Sequence, residues 1–204
     1  MLWMIPVGIG VGVGIKLLYD AVTEEEKEAR VRWEEKREQV EKSIEEHQRN
    51  IDNHIQEASS SYDFHFLVDL HYSSMKVADV AYKLLDDARL SLNGMNRMLR
   101  EAKKQKLALE SELIIAKKEK NREAKSNIIE QLKVVNEIRR SLFDDRDKVS
   151  EQKDTFLSEV KRLNNQTRDL KIHVKDRCGS KGLDWFNRGE ERKRSRRLME
   201  GKVI

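Results

Sequence analysis

The chain is nearly without residues that break helices. Its 204 residues include one proline, Pro6, and nine glycines, and between Ile15 and Cys178 the only glycine is Gly94. A sequence with so little turn punctuation makes long helices by default. Cysteine is as scarce: a lone Cys178 excludes an internal disulfide framework and fits a reducing compartment or one intermolecular bond. Aromatics are only 6% of residues, so a thin packing seam is expected in place of a broad core. No nucleophile–base pattern, CxxC pair or phosphate-cradling glycine loop occurs, and the glycine run lacks the following Lys-Ser/Thr of a P-loop. The expectation is a non-enzymatic protein with no cofactor, no bound metal and no small-molecule substrate.

Charge is what the chain has most of. Charged residues make up 38%, with 41 basic against 37 acidic, a net of +4. From Glu24 to Arg49 acidic residues outnumber basic ones by 10 to 7, and from Lys171 to Ile204 basic residues lead by 11 to 5. High charge with few breakers and regular apolar positions reads as coiled coil rather than disorder. The fold class is all-α: an N-terminal membrane helix, then long coiled-coil helices, as an elongated rod or a folded-back bundle of two or three helices. The divisions expected are an anchor over 1–19, a helical segment with an 11-residue repeat over 20–106, a heptad coiled coil over 107–177, and a basic tail over 178–204.

Met1 to Ile15 carries no side-chain charge, and Lys16 precedes Leu17, Leu18 and Tyr19. As a helix, this stretch is about 27 Å long, a borderline span of a hydrocarbon core about 30 Å thick. Trp3 and Tyr19 stand near the two ends, where amphipathic rings prefer to lie. A lone strand would leave its backbone unpaired in lipid, and no basic n-region or cleavage site marks a signal peptide. Gly8 with Gly12, and Gly10 with Gly14, have the GxxxG spacing of close helix packing. The bland alternative is an apolar N-terminus docked on a partner protein. Basic residues follow the segment, which predicts a single-pass protein with its C-terminal part in the cytoplasm.

Two periods run through the body. Val22, Trp33, Ile44, Ile55, Phe66, Val77, Ala88 and Leu99 are apolar at steps of 11, the spacing of a straight or slightly right-handed stripe. Leu107, Ile114, Asn121, Ile128, Val135, Leu142, Val149, Phe156, Leu163 and Leu170 follow at steps of 7, a left-handed coiled-coil seam. The row four residues further on is mostly polar, so the seam is thin. Asn121 either sets register as a buried seam residue or sits at a hairpin tip over 118–122. Ser59-Ser60-Ser61 and Asn93-Gly94 are the local turn signals, yet the 11-step row passes both in phase, which favours a continuous or kinked helix.

Tyr62 to Tyr72 concentrates aromatics with His65, Asp69 and His71. A metal site is disfavoured, because His71 is displaced from the helical face that His65 and Asp69 share; a structural cluster, or a place where a partner docks, reads better. In the tail, Gly179 reads as a helix stop. Trp185 and Phe186 then precede Arg192, Lys193, Arg194, Arg196 and Arg197, a set suited to docking on a protein, an anionic membrane or, less well, nucleic acid. The plain alternative is a bundle cap followed by a solvated tail. The leading expectation is a membrane-anchored coiled-coil tether or scaffold that self-associates or binds a protein partner through its body and tail. The alternatives are a membrane-active effector whose N-terminus inserts and forms a pore, and a nucleic-acid-binding helical protein.

Overall fold

The structure, a computed structural model, describes residues 20–56 and 63–200. Among these the chain is all-helical, with four helices and no strand: α1 (Glu24–Gln56), α2 (Phe64–Lys118), α3 (Arg122–Arg177) and α4 (Gly179–Met199).

Each of the first three helices starts where a side chain satisfies the free N–H groups of its first turn. At α1, the Thr23 hydroxyl accepts from the Glu26 N–H at 3.3 Å, and the Glu26 carboxylate accepts from the Thr23 N–H at 3.0 Å, a reciprocal capping box. At α2, the Asp63 carboxylate accepts from the N–H groups of His65 and Phe66. This cap marks a fresh helix start, so the expected continuous helix past 59–61 is corrected; residues 57–62 themselves lie outside the described residues. At α3 the cap is Asn121, whose side-chain oxygen accepts from the Ala124 N–H at 3.0 Å.

Asn121 also closes α2. Its N–H bonds to the Ala116 carbonyl at 3.0 Å while the Lys120 N–H bonds to Lys117, the pair of bonds of a Schellman ending. Lys120 takes the left-handed conformation, φ 55°, that glycine usually fills. Asn121 is exposed, so it serves the hairpin tip and not a buried seam. Gly94, by contrast, lies inside α2. A Cβ there would stand 3.1 Å from a Val22 methyl and 3.2 Å from the Glu26 Cβ, so this glycine permits a close approach of helices rather than a turn.

The chain divides into two compact units. The first is Met1–Glu35 with Leu85–Asp154. In it α1 meets α2 through Arg32–Asp87 at 2.9 Å and Glu26–Arg97 at 3.3 Å, a descending pairing that makes the helices antiparallel. Arg30 reaches Asp145 of α3 at 3.6 Å. Trp33, Leu85, Ala88 and Met95 are sealed in its core. The second unit is Lys36–Leu84 with Thr155–Ile204. There His47 pairs with Ser74 at 3.0 Å, and Gln48 donates to the Glu159 carbonyl at 3.1 Å. Ile44, Ile51, Phe156, Val160, Leu163, Leu170 and Val174 are fully buried in it. Each unit is thus a coiled-coil-like packing of segments of α1, α2 and α3, joined in the second unit by α4.

The 11-step row is buried at Val22 just before α1, at Trp33 and Ile44 in α1 and at Ala88 and Leu99 in α2, half-buried at Ile55 and Val77, and 45% exposed at Phe66. Buried positions in α2 also recur every seven residues, at Leu67, Ser74, Ala81, Ala88, Met95 and Ala102. Of the heptad row in α3, Ile128, Val135, Val149, Phe156, Leu163 and Leu170 are buried and Leu142 is half-buried.

The expected single-pass membrane localisation is corrected. Among the described residues no helix is long and apolar enough to cross a membrane. Charged residues recur along all four helices, and charges at that density are incompatible with a hydrocarbon core. Residues 1–19, with Gly8, Gly10, Gly12 and Gly14, lie outside the described residues.

Candidate binding site around the C-terminal helix

The tail is itself a helix. Two glycines let it turn back on α3. Gly179 has φ +59°, the left-handed conformation that ends α3. At Gly182 a Cβ would lie 2.1 Å from the Val174 carbonyl oxygen, so only glycine fits where α4 crosses the end of α3. Cys178, between the helices, is half-buried; burial first and the nearby Asp63 charge second push its thiol above the ordinary value.

Trp185 anchors α4. It is 8% exposed, its indole N–H donates to the Tyr72 hydroxyl at 3.2 Å, and its ring meets His71 edge-on at 5.2 Å. Phe186 is half-buried, with the Lys171 and Lys175 ammonium groups 4.5 and 5.2 Å from its ring centre. Lys171 also forms an ion pair with Glu190, and Lys193 approaches the same carboxylate at 3.4 Å. The Lys171 hydrogen bond holds the Glu190 carboxyl below its usual range. The aromatic and histidine cluster of α2 is therefore the place where α4 packs.

His71 is the buried titratable group of this contact. Its Nδ1 lies 3.3 Å from the Thr167 carbonyl oxygen, which can only accept, so Nδ1 carries the proton and the neutral ring keeps its lone pair on Nε2. Burial lowers its pKa, and the charges of Lys171 and Lys193 lower it further, against the Thr167 contact. A cavity of about 260 Å³ opens beside it, walled by Tyr72, Met75 and Trp185 and by the cations Lys171, Arg192, Lys193 and Arg196.

The expected tail residues separate into two groups. Trp185 and Phe186 face the helical packing, while Arg192, Lys193, Arg194, Arg196 and Arg197 are exposed along α4. Among the described residues no group of histidine, cysteine and carboxylate side chains could hold a metal ion. His65 is exposed and His71 is buried, which keeps those two apart.

A second exposed feature lies on α2 in the first unit. Leu107, Ile114 and Ile115 are 54, 55 and 54% exposed. Leu107 and Ile114, seven apart, share the side of the helix opposite buried Ala102 and Ala116. Ser111, between them, donates its hydroxyl to the Leu107 carbonyl at 3.0 Å, which turns that polar group back on its own helix. In comparison with known proteins, the chain matches no family model, no curated protein and no solved structure.

Proposed function

We propose that the protein is a non-enzymatic helical scaffold that associates with a second copy of itself through the C-terminal part of α2. The observation that carries this is the exposure of Leu107, Ile114 and Ile115. Leu107 and Ile114 repeat at coiled-coil spacing on a well-formed helix with Ile115 beside them, and such an exposed apolar patch marks a contact face. One patch used by both copies is the commonest way for chains to pair, because a two-fold axis makes the patch its own complement.

Magnitude sets the character of the contact. Burying an exposed Leu or Ile fully is worth about 1.5–3 kcal/mol, and roughly half of that is still to be gained at each of these side chains. Six such side chains across a pair supply about 4–9 kcal/mol, against about 4–15 kcal/mol for the lost freedom of two bodies. The account therefore requires a weak, concentration-dependent pairing, with a dissociation constant above about 10 µM. Weight-average mass measured against concentration tests it. Replacing Leu107 and Ile114 with Glu should remove the concentration dependence, and an unchanged dependence would refute the reading.

A further inference from the structure

The cavity beside His71 is lined by four cationic side chains. Lys171, Arg192, Lys193 and Arg196 all border it, and the carboxylate paired with this set is Glu190, which takes Lys171 and Lys193. Among the described residues, Arg192 and Arg196 have no carboxylate partner. Arg192 uses its Nε–H on the Arg188 carbonyl at 3.2 Å, which leaves the outer edge of its guanidinium unspent. Arg188, Arg192 and Arg196 stand four residues apart on one helix, and like charges at that spacing repel. The negative end of the helix dipole helps Arg196 and Arg197 in the last turn but fades before Arg188 and Arg192.

The geometry points to a phosphate-binding site in this cavity, held by Arg192 and Arg196 and serving a small phosphorylated ligand. Guanidinium groups match the oxygens of a phosphate two at a time, and a lysine adds a point charge. At about 30 Å³ of liquid volume per water, the cavity holds about nine waters, room for a phosphate or diphosphate with part of its hydration. Burial is the main cause of the lowered His71 pKa, and the positive potential of Lys171 of α3 and Lys193 of α4 adds to it. An anion bound there would oppose that potential, so phosphate binding and His71 protonation are linked. The inference is independent of the pairing through α2, which uses residues of the other unit.

The test is calorimetric titration of the full chain with sodium pyrophosphate, at matched ionic strength, beside two double variants. Arg192→Gln with Arg196→Gln removes the proposed ligands. Arg194→Gln with Arg197→Gln removes the same charge from α4 without touching the cavity. Binding to the parent chain should weaken about tenfold or more in the first variant and change little in the second. In the parent chain, saturating pyrophosphate should also raise the midpoint of the His71 ring-proton titration by nuclear magnetic resonance. No heat of binding, equal weakening in both variants, or a His71 midpoint that stays in place would each overturn the site. Binding to single-stranded DNA with none to pyrophosphate would likewise overturn it and assign the arginines to an extended polyanion.

Discussion

Truncating Trp185 to Ala should release α4 from its docking surface while leaving the rest of the second unit folded. α4 has 21 residues, of which Gly182 and Trp185 are buried, so its attachment is concentrated in one side chain. Replacing a buried Trp by Ala costs about 3–5 kcal/mol, and the indole hydrogen bond to Tyr72 and the edge contact with His71 go with it. What remains is Phe186 beneath two lysines, worth about 0.5–1 kcal/mol per cation, and the Lys171–Glu190 pair, which is half-exposed and adds about 1 kcal/mol or less. The loss exceeds the remainder, and a mostly polar helix of this length is marginal when undocked. Native-state amide exchange reads the result directly. Protection over Arg188–Arg196 should fall by about two to three orders of magnitude, while amides around Leu163 and Leu170 keep theirs. Unchanged protection in α4 would refute the anchoring role. An equal fall around Leu163 would show that Trp185 belongs to the general core and not to a separable contact.

Other expectations follow from the same contacts. Gly182→Ala forces a Cβ against the Val174 carbonyl and should destabilise the second unit by about 1–3 kcal/mol in urea unfolding. At the hairpin tip, Lys120→Gly should stabilise by about 0.5–1 kcal/mol, since it relieves a left-handed backbone, whereas Asn121→Ala should cost about 1 kcal/mol through the lost cap. Both values can be read from the same urea curves. His71 and His173 both have pKa values lowered chiefly by burial, so the unfolded chain binds protons before the folded one does. Stability is then fully present above the ordinary histidine value and falls as pH drops through it toward the folded-state values. A urea midpoint lower at about pH 5.5 than at about pH 7.5, with a smaller difference in His71→Gln, is the expected result; a midpoint independent of pH would contradict it.

Much of this architecture was legible because it rests on local chemistry. The scarcity of proline and glycine predicts helices, and 118–122 offers a polar tip where Asn121 can both close one helix and cap the next. The seam of α2 was hidden because Ser74, Ala81, Ala88 and Ala102 fill it. Small residues carry little weight in a hydrophobic pattern, yet they are what a helix packed between two others needs, just as Gly94 is. The 11-step row is buried again in α2 at Ala88 and Leu99, and Phe66 is the member where the packing departs from it. The start of α2 at the Asp63 cap was concealed by the periodicity. Trp185 and Phe186 stood out as an apolar pair, but their partners Tyr72, His71 and Lys171 are remote in sequence and no local spacing names them. Gly182 carried no signal beyond being a glycine; its need arises only where α4 passes the Val174 carbonyl.

The central claim is the pairing of two copies through the exposed face of α2, and sedimentation equilibrium of the full chain from micromolar to near-millimolar concentration tests it most directly. The account predicts a weight-average mass that starts at 24.0 kDa and climbs toward twice that value, and a Leu107→Glu, Ile114→Glu variant that stays at 24.0 kDa throughout. A parent chain fixed at 24.0 kDa over the whole range, or a variant that climbs as the parent does, would contradict it.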